Sequence, residues 1–329
     1  MILYFDRKGG VLKFYAKSIP DPLQIASRAD WCRIGIADGV EILLRGYEVS
    51  TGLGCDQLAT WADHFPKFNL EIGDRISNYP NLIPADLLDP RVQQYIEDTL
   101  TSMERFPNSG LLIVHLSGGM QFLARPYSDF RSRAKEREDL LGQSMEYLNR
   151  IDPGSRRIAL ENPMDPDWMN ESSGNLTAFT FGKVSSDFAD RARVFDPAHS
   201  GISAFCYANI RDTGKGYGFF DSEKFGAIPL HYGQSEREFC SPGSSTRESV
   251  LADLGRALPY MKELHVNTFR GLLDGFGFGE ADLPLEQILN RVKHRSDLIF
   301  VSELREEAGD YLNAPANRAM LGALRSFFS

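Results

Sequence analysis

The sequence predicts a closed (β/α)8 barrel forming a single domain over residues 1–329, with a long insertion after the sixth strand at 200–245. Three observations predict it. Short apolar runs rich in Val, Ile, Leu and Phe alternate with longer amphipathic stretches along the chain, the pattern of parallel strands buried on both faces with helices between them. No G-x-G-x-x-G turn follows an early run: Lys8-Gly9-Gly10 and the Gly35–Gly39 segment are the candidates and neither fits, which disfavours an open nucleotide-binding sheet. A chain of 329 residues with 42% hydrophobic and 25% charged residues has ordinary globular composition, and α/β barrels run to this length as one domain.

The apolar runs, in order, are Val11–Ala16 (or Ile2–Phe5), Gly39–Leu44, Phe68–Ile72, Leu111–Leu116, Arg157–Glu161, Arg193–Asp196, Glu263–Val266 and Leu298–Ser302. The helical patterns between and after them are Asp21–Ile34, Cys55–Phe65, Asp89–Phe106, Phe130–Ile151, Ser185–Arg193, Thr246–Met261, Pro284–Arg295 and Pro315–Phe328. Asp21-Pro22 and Asp89-Pro90 read as a capping side chain followed by a proline in the first turn, and Ser245-Thr246 ahead of Glu248 as a further start. Leu140, Leu141, Met145 and Leu148 fall at helical spacing and read as core.

Net charge is −9, which argues against a nucleic-acid partner, since such a protein presents a basic face. The four cysteines, Cys32, Cys55, Cys206 and Cys240, include no C-x-x-C pair, so neither a zinc ribbon nor a disulfide framework is expected, and they read as reduced thiols. Met1–Asp6 lacks a basic, then apolar, signal sequence, and no apolar run approaches the roughly 18 residues of a membrane span. The expectation is a soluble cytoplasmic protein without a membrane partner.

The ends of the runs carry the chemistry. In a barrel, the active site gathers residues from the C-terminal ends of several strands. The second run carries Glu41, the third Glu71 and the fourth ends in His115; four consecutive runs then lead to Glu161, Asp196, His265 and Glu303. One carboxylate at a strand end is ordinarily a helix cap or an ion-pair partner. Three converging on one place are costly, because each is desolvated and repels the others. A divalent cation resolves that cost. Three carboxylates and one imidazole suit Mn2+, Mg2+ or Co2+ ahead of Zn2+, and Mn2+ is the first expectation for a single bound ion.

These motifs resemble the xylose-isomerase-like barrel superfamily of sugar isomerases and epimerases, which also contains the endonuclease IV group of AP endonucleases. The resemblance covers roughly residues 110–325. It rests on Ala159-Leu160-Glu161-Asn162, on Asp196-Pro197-Ala198-His199 as a D-x-x-H, on His265 followed by the glycine-rich 271–279 segment, and on Glu303. The resemblance implies that Glu161, Asp196, His265 and Glu303 are metal ligands and that Glu161 and Glu303 are also the catalytic acid/base pair. It implies that His199 bonds a substrate oxygen. Arg270 stands five residues after His265, where the epimerases place a substrate-binding Arg six after. His115 occupies the position of a nuclease ligand and is read as a substrate-facing or acid/base residue, or else as one that orients a metal ligand. The trinuclear centre of endonuclease IV needs further histidines, and this chain has only six, His64, His115, His199, His231, His265 and His294.

The expected activity is isomerisation or epimerisation of a small polyhydroxylated substrate, by removal of a proton next to a carbonyl through an enediolate. The rival is a lyase or dehydratase on the same scaffold, of the inosose dehydratase or C-glycoside-cleaving kind; a non-catalytic binding barrel and a nuclease rank below it. The insertion exceeds the strand–helix rhythm by about 30 residues, which marks a functional loop. Its aromatic residues, among them Phe205, Tyr207, Tyr217 and Phe239, suggest a lid or a contact in a homo-oligomer.

Overall fold

The computed structural model describes residues 12–44, 55–73, 87–115, 134–154, 156–162, 191–202, 244–270, 273–279, 285–306 and 309–329. The strands are β1 (Lys13–Ser18), β2 (Gly39–Leu44), β3 (Phe68–Ile72), β4 (Ser109–His115), β5 (Ile158–Glu161), β6 (Arg193–Phe195), β7 (Met261–Val266), β8 (Thr268–Arg270), β9 (Leu273–Phe276) and β10 (Ile299–Ser302). Eight of them close into a parallel barrel in the order β1-β10-β7-β6-β5-β4-β3-β2, while β8 and β9 form a separate antiparallel pair. The helices are α1 (Pro22–Arg33), α2 (Cys55–His64), α3 (Pro90–Met103), α4 (Ala134–Ile151), α5 (Ser244–Ala257), α6 (Leu285–Val292) and α7 (Pro315–Phe327). The expected (β/α)8 architecture is present.

The period of two along each strand sorts side chains to the two faces. Val40, Ile42 and Leu44 of β2, Phe68, Leu70 and Ile72 of β3, and Leu112 and Val114 of β4 share one buried cluster with Leu58, Trp61, Val92, Ile96 and Met103 of the helices. On the other side of the barrel, Phe14, Phe195, Leu264, Val266 and Phe300 pack with Val250, Leu254, Ile288, Leu289, Leu321 and Leu324. Met145 and Leu148 are buried as expected, while the side chains of Leu140 and Leu141 lie outside the described part. The alternate residues turn inward. Ile113, Ala159 and Val194 fill part of the barrel with apolar volume, and most of the remaining inward positions are polar. Two glycines make room there. A Cβ on Gly39 would stand 2.6 Å from the Tyr15 ring, and one on Gly110 would collide with the amide of Asn69.

Helix starts follow the local chemistry. Asp21 accepts a hydrogen bond from the Gln24 N–H at 2.9 Å and Asp89 one from the Arg91 N–H at 2.8 Å, each with proline next in the chain. Several boundaries differ from the sequence expectation, three of them at places that bear on the barrel. β1 continues to Ser18 rather than stopping at Ala16, because it pairs along its whole upper half with β2, Lys17 opposite Glu41 and Ser18 opposite Ile42. α5 ends at Ala257, and Met261 begins β7 beside Arg193. Arg193 is a strand residue, not the end of a helix; the rest of the helix expected from Ser185 lies outside the described residues, as do Ile2–Phe5 and positions 203–243 of the insertion. Among the described residues, no helix is long and apolar enough to cross a membrane.

Candidate metal centre

Strand register sets the heights of the inward side chains. His115 is paired with Glu161, Lys17 with Glu41, and Val301 with His265, so these groups reach the C-terminal mouth of the barrel together. Asp196 follows β6 directly and caps the helical turn at 197–202: its Oδ1 accepts the His199 N–H at 2.9 Å. That turn folds His199 back over the end of β5. Glu303 follows β10, held by the bonds of Asn317, whose Oδ1 accepts from Leu304 N at 2.9 Å and from the Ser302 hydroxyl at 2.9 Å.

The four residues expected to hold an ion converge on one nitrogen. Nδ1 of His265 is 2.8 Å from Glu303 Oε2, 3.4 Å from Glu161 Oε1 and 3.5 Å from Asp196 Oδ2. One N–H can serve only one of these carboxylates well. Both oxygens of Glu161, Nδ1 of His265 and Oε2 of Glu303 are buried without a hydrogen bond of sound geometry. Orphaned carboxylate oxygens and an imidazole nitrogen aimed at one point are a donor set that fits a divalent cation. Two of the groupings able to hold an ion are Asp196–His265–Glu303 and Glu71–Glu161–His265, and a third is His115–Glu161–His199.

Neighbouring groups orient these ligands. Asn162 is locked to Asp196 by a reciprocal pair: its Nδ2 donates to the Asp196 carbonyl and its Oδ1 accepts the Asp196 N–H, each at 2.8 Å. Asn267 Nδ2 donates to Asp196 Oδ2 at 2.9 Å. Nε2 of His265 faces Glu41 Oε1 at 3.3 Å and Glu263 Oε1 at 3.4 Å, which leaves Nδ1 as the nitrogen turned to the mouth. Glu263 in turn accepts from Asn69 Nδ2, and Asn69 Oδ1 accepts the Leu111 N–H at 2.9 Å. His115 sets Nδ1 on the Ile72 carbonyl at 3.1 Å and turns Nε2 toward Glu161 Oε2 at 3.4 Å. His199 sets Nδ1 2.9 Å from the Asn162 carbonyl and 3.1 Å from Glu161 Oε1.

The electrostatics follow from this crowding. Burial alone would raise the Glu161 carboxyl, yet His265 and His115 hold it well below the usual carboxylate range. Burial would raise Asp196 and Glu303 too; His199 lowers the first, and Lys17 and His265 the second. Burial would lower both His265 and His199, but Glu161 and Glu41 push the first well above the usual imidazole range, and Asp196 and Glu161 the second. Beneath them, burial and the adjacent Glu41 push Glu263 well above the usual carboxylate range.

One residue central to this network was not among the expected site residues. Lys17 Nζ lies 2.6 Å from Glu41 Oε1, 3.1 Å from Glu303 Oε1 and in direct contact with Glu71 Oε2. Burial would lower the ammonium, but Glu303, Glu41 and Glu71 hold it well above the usual lysine range. Glu71 is raised to about 8 by burial, against the pull of Lys17, with Glu161 and Glu41 adding to the rise. Alternation along β1 carries the signal: Lys17 shares its face with Tyr15, two residues earlier and 3% exposed. Arg270 pairs with Leu273 in the β8–β9 hairpin, and its side chain lies outside the described part of the structure.

No protein-family model and no curated protein matches the sequence. Solved structures match the fold. Endonuclease IV from Thermus thermophilus aligns at a TM-score of 0.50 and 11% identity, over 96% of this chain and 98% of that one. D-psicose 3-epimerase, solved in the presence of D-fructose, aligns at 0.49 and 13%, over 96% and 99%. A xylose isomerase-like barrel protein from Mycobacterium smegmatis in complex with magnesium aligns at 0.49 and 10%, over 96% and 98%. At these identities the likeness is one of fold alone, the closed (β/α)8 barrel.

Proposed function

We propose that the chain is an isomerase or epimerase of a small polyhydroxylated substrate, dependent on one divalent cation held by Glu161, Asp196, His265 and Glu303. The observation that carries this reading is the convergence of three carboxylates from three strand ends on Nδ1 of His265, with four polar atoms there lacking hydrogen bonds. Hard oxygen donors with one imidazole favour Mn2+, with Mg2+, Co2+ or Zn2+ as alternatives. A bound ion supplies Lewis-acid polarisation of a carbonyl and the neighbouring hydroxyl, which acidifies the intervening C–H.

The chain's own residues would move the proton. Glu161 and Glu303 stand on strands to either side of β7 and differ in exposure: the side chain of Glu161 is wholly buried, and that of Glu303 is 30% exposed at the mouth. Glu161 is held ionised by His265 and His115 and is the base that takes the proton from the carbon beside the carbonyl. Glu303, open to the mouth, would take up a proton from solvent and deliver it to the carbon on the other side, and Glu161 would return its own to water, so that both carboxylates end as they began. His115 and His199, each with Nδ1 set on a main-chain carbonyl, are proposed as contacts to substrate oxygens beside Glu161 and Asp196. Arg270 is proposed as a further substrate contact on its position in the chain alone.

The test is to screen ketoses, keto-inositols and oxidised glycosides with the Mn2+-loaded protein in deuterated water. An isomer carrying solvent deuterium at the α-carbon is the expected result. Loss of water or of an aglycone would make the protein a lyase using the same first step. Turnover with the α-hydrogen fully retained, and no hydride shift on direct test, would overturn the reading.

A further inference from the structure

The side of the mouth formed by β1, β2 and β3 has chemistry that the single-ion reading does not use. Glu41 and Glu71 are buried there, and Glu303 reaches across from β10. One oxygen from each surrounds a single point, and that point is the Lys17 ammonium. An ammonium has three N–H donors and no acceptor. Lys17 finds three carboxylate oxygens, so its donors are fully used and none is spare for a substrate. The end of β1 that carries it is pinned. Arg28 Nε donates to the Lys17 carbonyl at 3.0 Å, while the same guanidinium bonds the carbonyls of Leu312 at 2.9 Å and Tyr311 at 2.7 Å.

We propose that Lys17 is a built-in second cation: its ammonium fills a position that Glu41, Glu71 and Glu303 would otherwise offer to a second divalent ion, and so restricts the barrel to one. The inference rests on the reading that Glu161, Asp196, His265 and Glu303 hold the first. Three carboxylate oxygens from three strands are the hard-oxygen set that Mn2+ or Mg2+ takes. Glu303 places Oε1 on Lys17 and Oε2 on His265, so it would bridge the two ions. Glu161, wholly buried with neither oxygen hydrogen-bonded, groups with Glu71 and His265 within ligand distance, so its carboxylate stands beside the second position too.

The experiment compares the wild-type chain with Lys17→Ala and Lys17→Gln after saturation with Mn2+ and removal of free ion, read by elemental analysis and by electron paramagnetic resonance. The expected result is about one ion per chain in the wild type and about two in each variant, the second showing as an exchange-coupled Mn2+ pair. Two ions in the wild type, or one in both variants, would overturn the proposal. No ion in the wild type would instead take down the single-ion reading on which it rests. A variant that unfolds without metal should regain its structure with Mn2+, because a second ion compensates the same carboxylates. If both variants stay unfolded in saturating Mn2+, the proposal fails.

Discussion

Strands β1, β2 and β3 lead Lys17, Glu41 and Glu71 to one side of the barrel mouth, while β5, β6, β7 and β10 lead Glu161, Asp196, His265 and Glu303 to the other. Both sides gather carboxylates from successive strands. On the first, the chain supplies its own cation, and an oxygen of each of Glu41 and Glu71 meets the ammonium. On the second, the positive charge is that of imidazoles held above their usual range, Nδ1 of His265 is shared by three carboxylates, and neither oxygen of Glu161 has a hydrogen bond of sound geometry. A buried carboxylate left without a partner is costly and persists where something else stabilises it. The comparison therefore separates a side completed within the chain from a side whose donor set fits a divalent ion.

The largest effects should come from the incomplete side. Glu161→Gln and Glu303→Gln should each lower turnover by about 10²–10⁴-fold, as loss of a general acid or base does. Metal content measured on the same samples tells loss of the proton carrier from loss of the ion. Near-full activity with metal bound would remove that glutamate from the acid/base pair.

On the self-completed side the effect should fall on stability first. Lys17→Ala without added metal should cost about 3–5 kcal/mol in denaturant unfolding, since it leaves buried carboxylates uncompensated. A change under about 1 kcal/mol would show that those carboxylates are solvated or protonated at no cost.

Orientation comes next. Asn267→Ala removes the donor on Asp196 Oδ2, and Asn162→Ala removes the reciprocal lock on the Asp196 main chain. Each should weaken Mn2+ binding by about 10–100-fold while the barrel remains folded, measured by calorimetric titration and circular dichroism. Unchanged affinity would mean that Asp196 is held by its own helical turn alone.

The pH dependence of metal stabilisation sharpens the same contrast. His265 and His199 have raised values, so what they contribute to the metal-free fold is present below their ordinary value of 6.5 and is lost as pH rises through the raised ones. Glu71 is raised from 4.5 to about 8, so the folded chain holds an extra proton across that window and stability again falls as pH rises. A metal ion competes with these protons. The rise in Tm on adding Mn2+ should thus be larger at pH 8 than at pH 6, and an equal or reversed difference would contradict it. As a control remote from the mouth, Arg33→Ala breaks an ion pair whose side chains are both largely exposed and should change stability by no more than about 0.5 kcal/mol.

Much of the fold is legible in the sequence, because the apolar period of two and the Asp-Pro helix starts are local signals. Gly39–Leu44 and Phe68–Ile72 are strands over the bounds their composition predicts. β1 is misjudged at its end, since Lys17-Ser18 ahead of Ile19-Pro20 reads as the start of a loop; only pairing with β2 extends it. The same difference governs the site. Glu161, Asp196, His265 and Glu303 stand out because each closes an apolar run, and the structure brings them together. Glu41 and Glu71 are visible as strand carboxylates, but nothing local says that a lysine on β1 meets them. That contact depends on barrel register and closure, as does the placing of Glu263 beneath His265. The partnering asparagines Asn162 and Asn267 are adjacent to expected residues, and their geometry is tertiary.

The most direct test of the two-sided account is a crystal structure of the wild-type chain soaked in Mn2+, with anomalous scattering collected at the manganese edge. The account predicts one strong peak within about 2.0–2.6 Å of His265 Nδ1 and of oxygens of Glu161, Asp196 and Glu303, with Lys17 still seated on Glu41 and Glu71. No peak there, or a peak among Glu41 and Glu71 with Lys17 displaced, would contradict it.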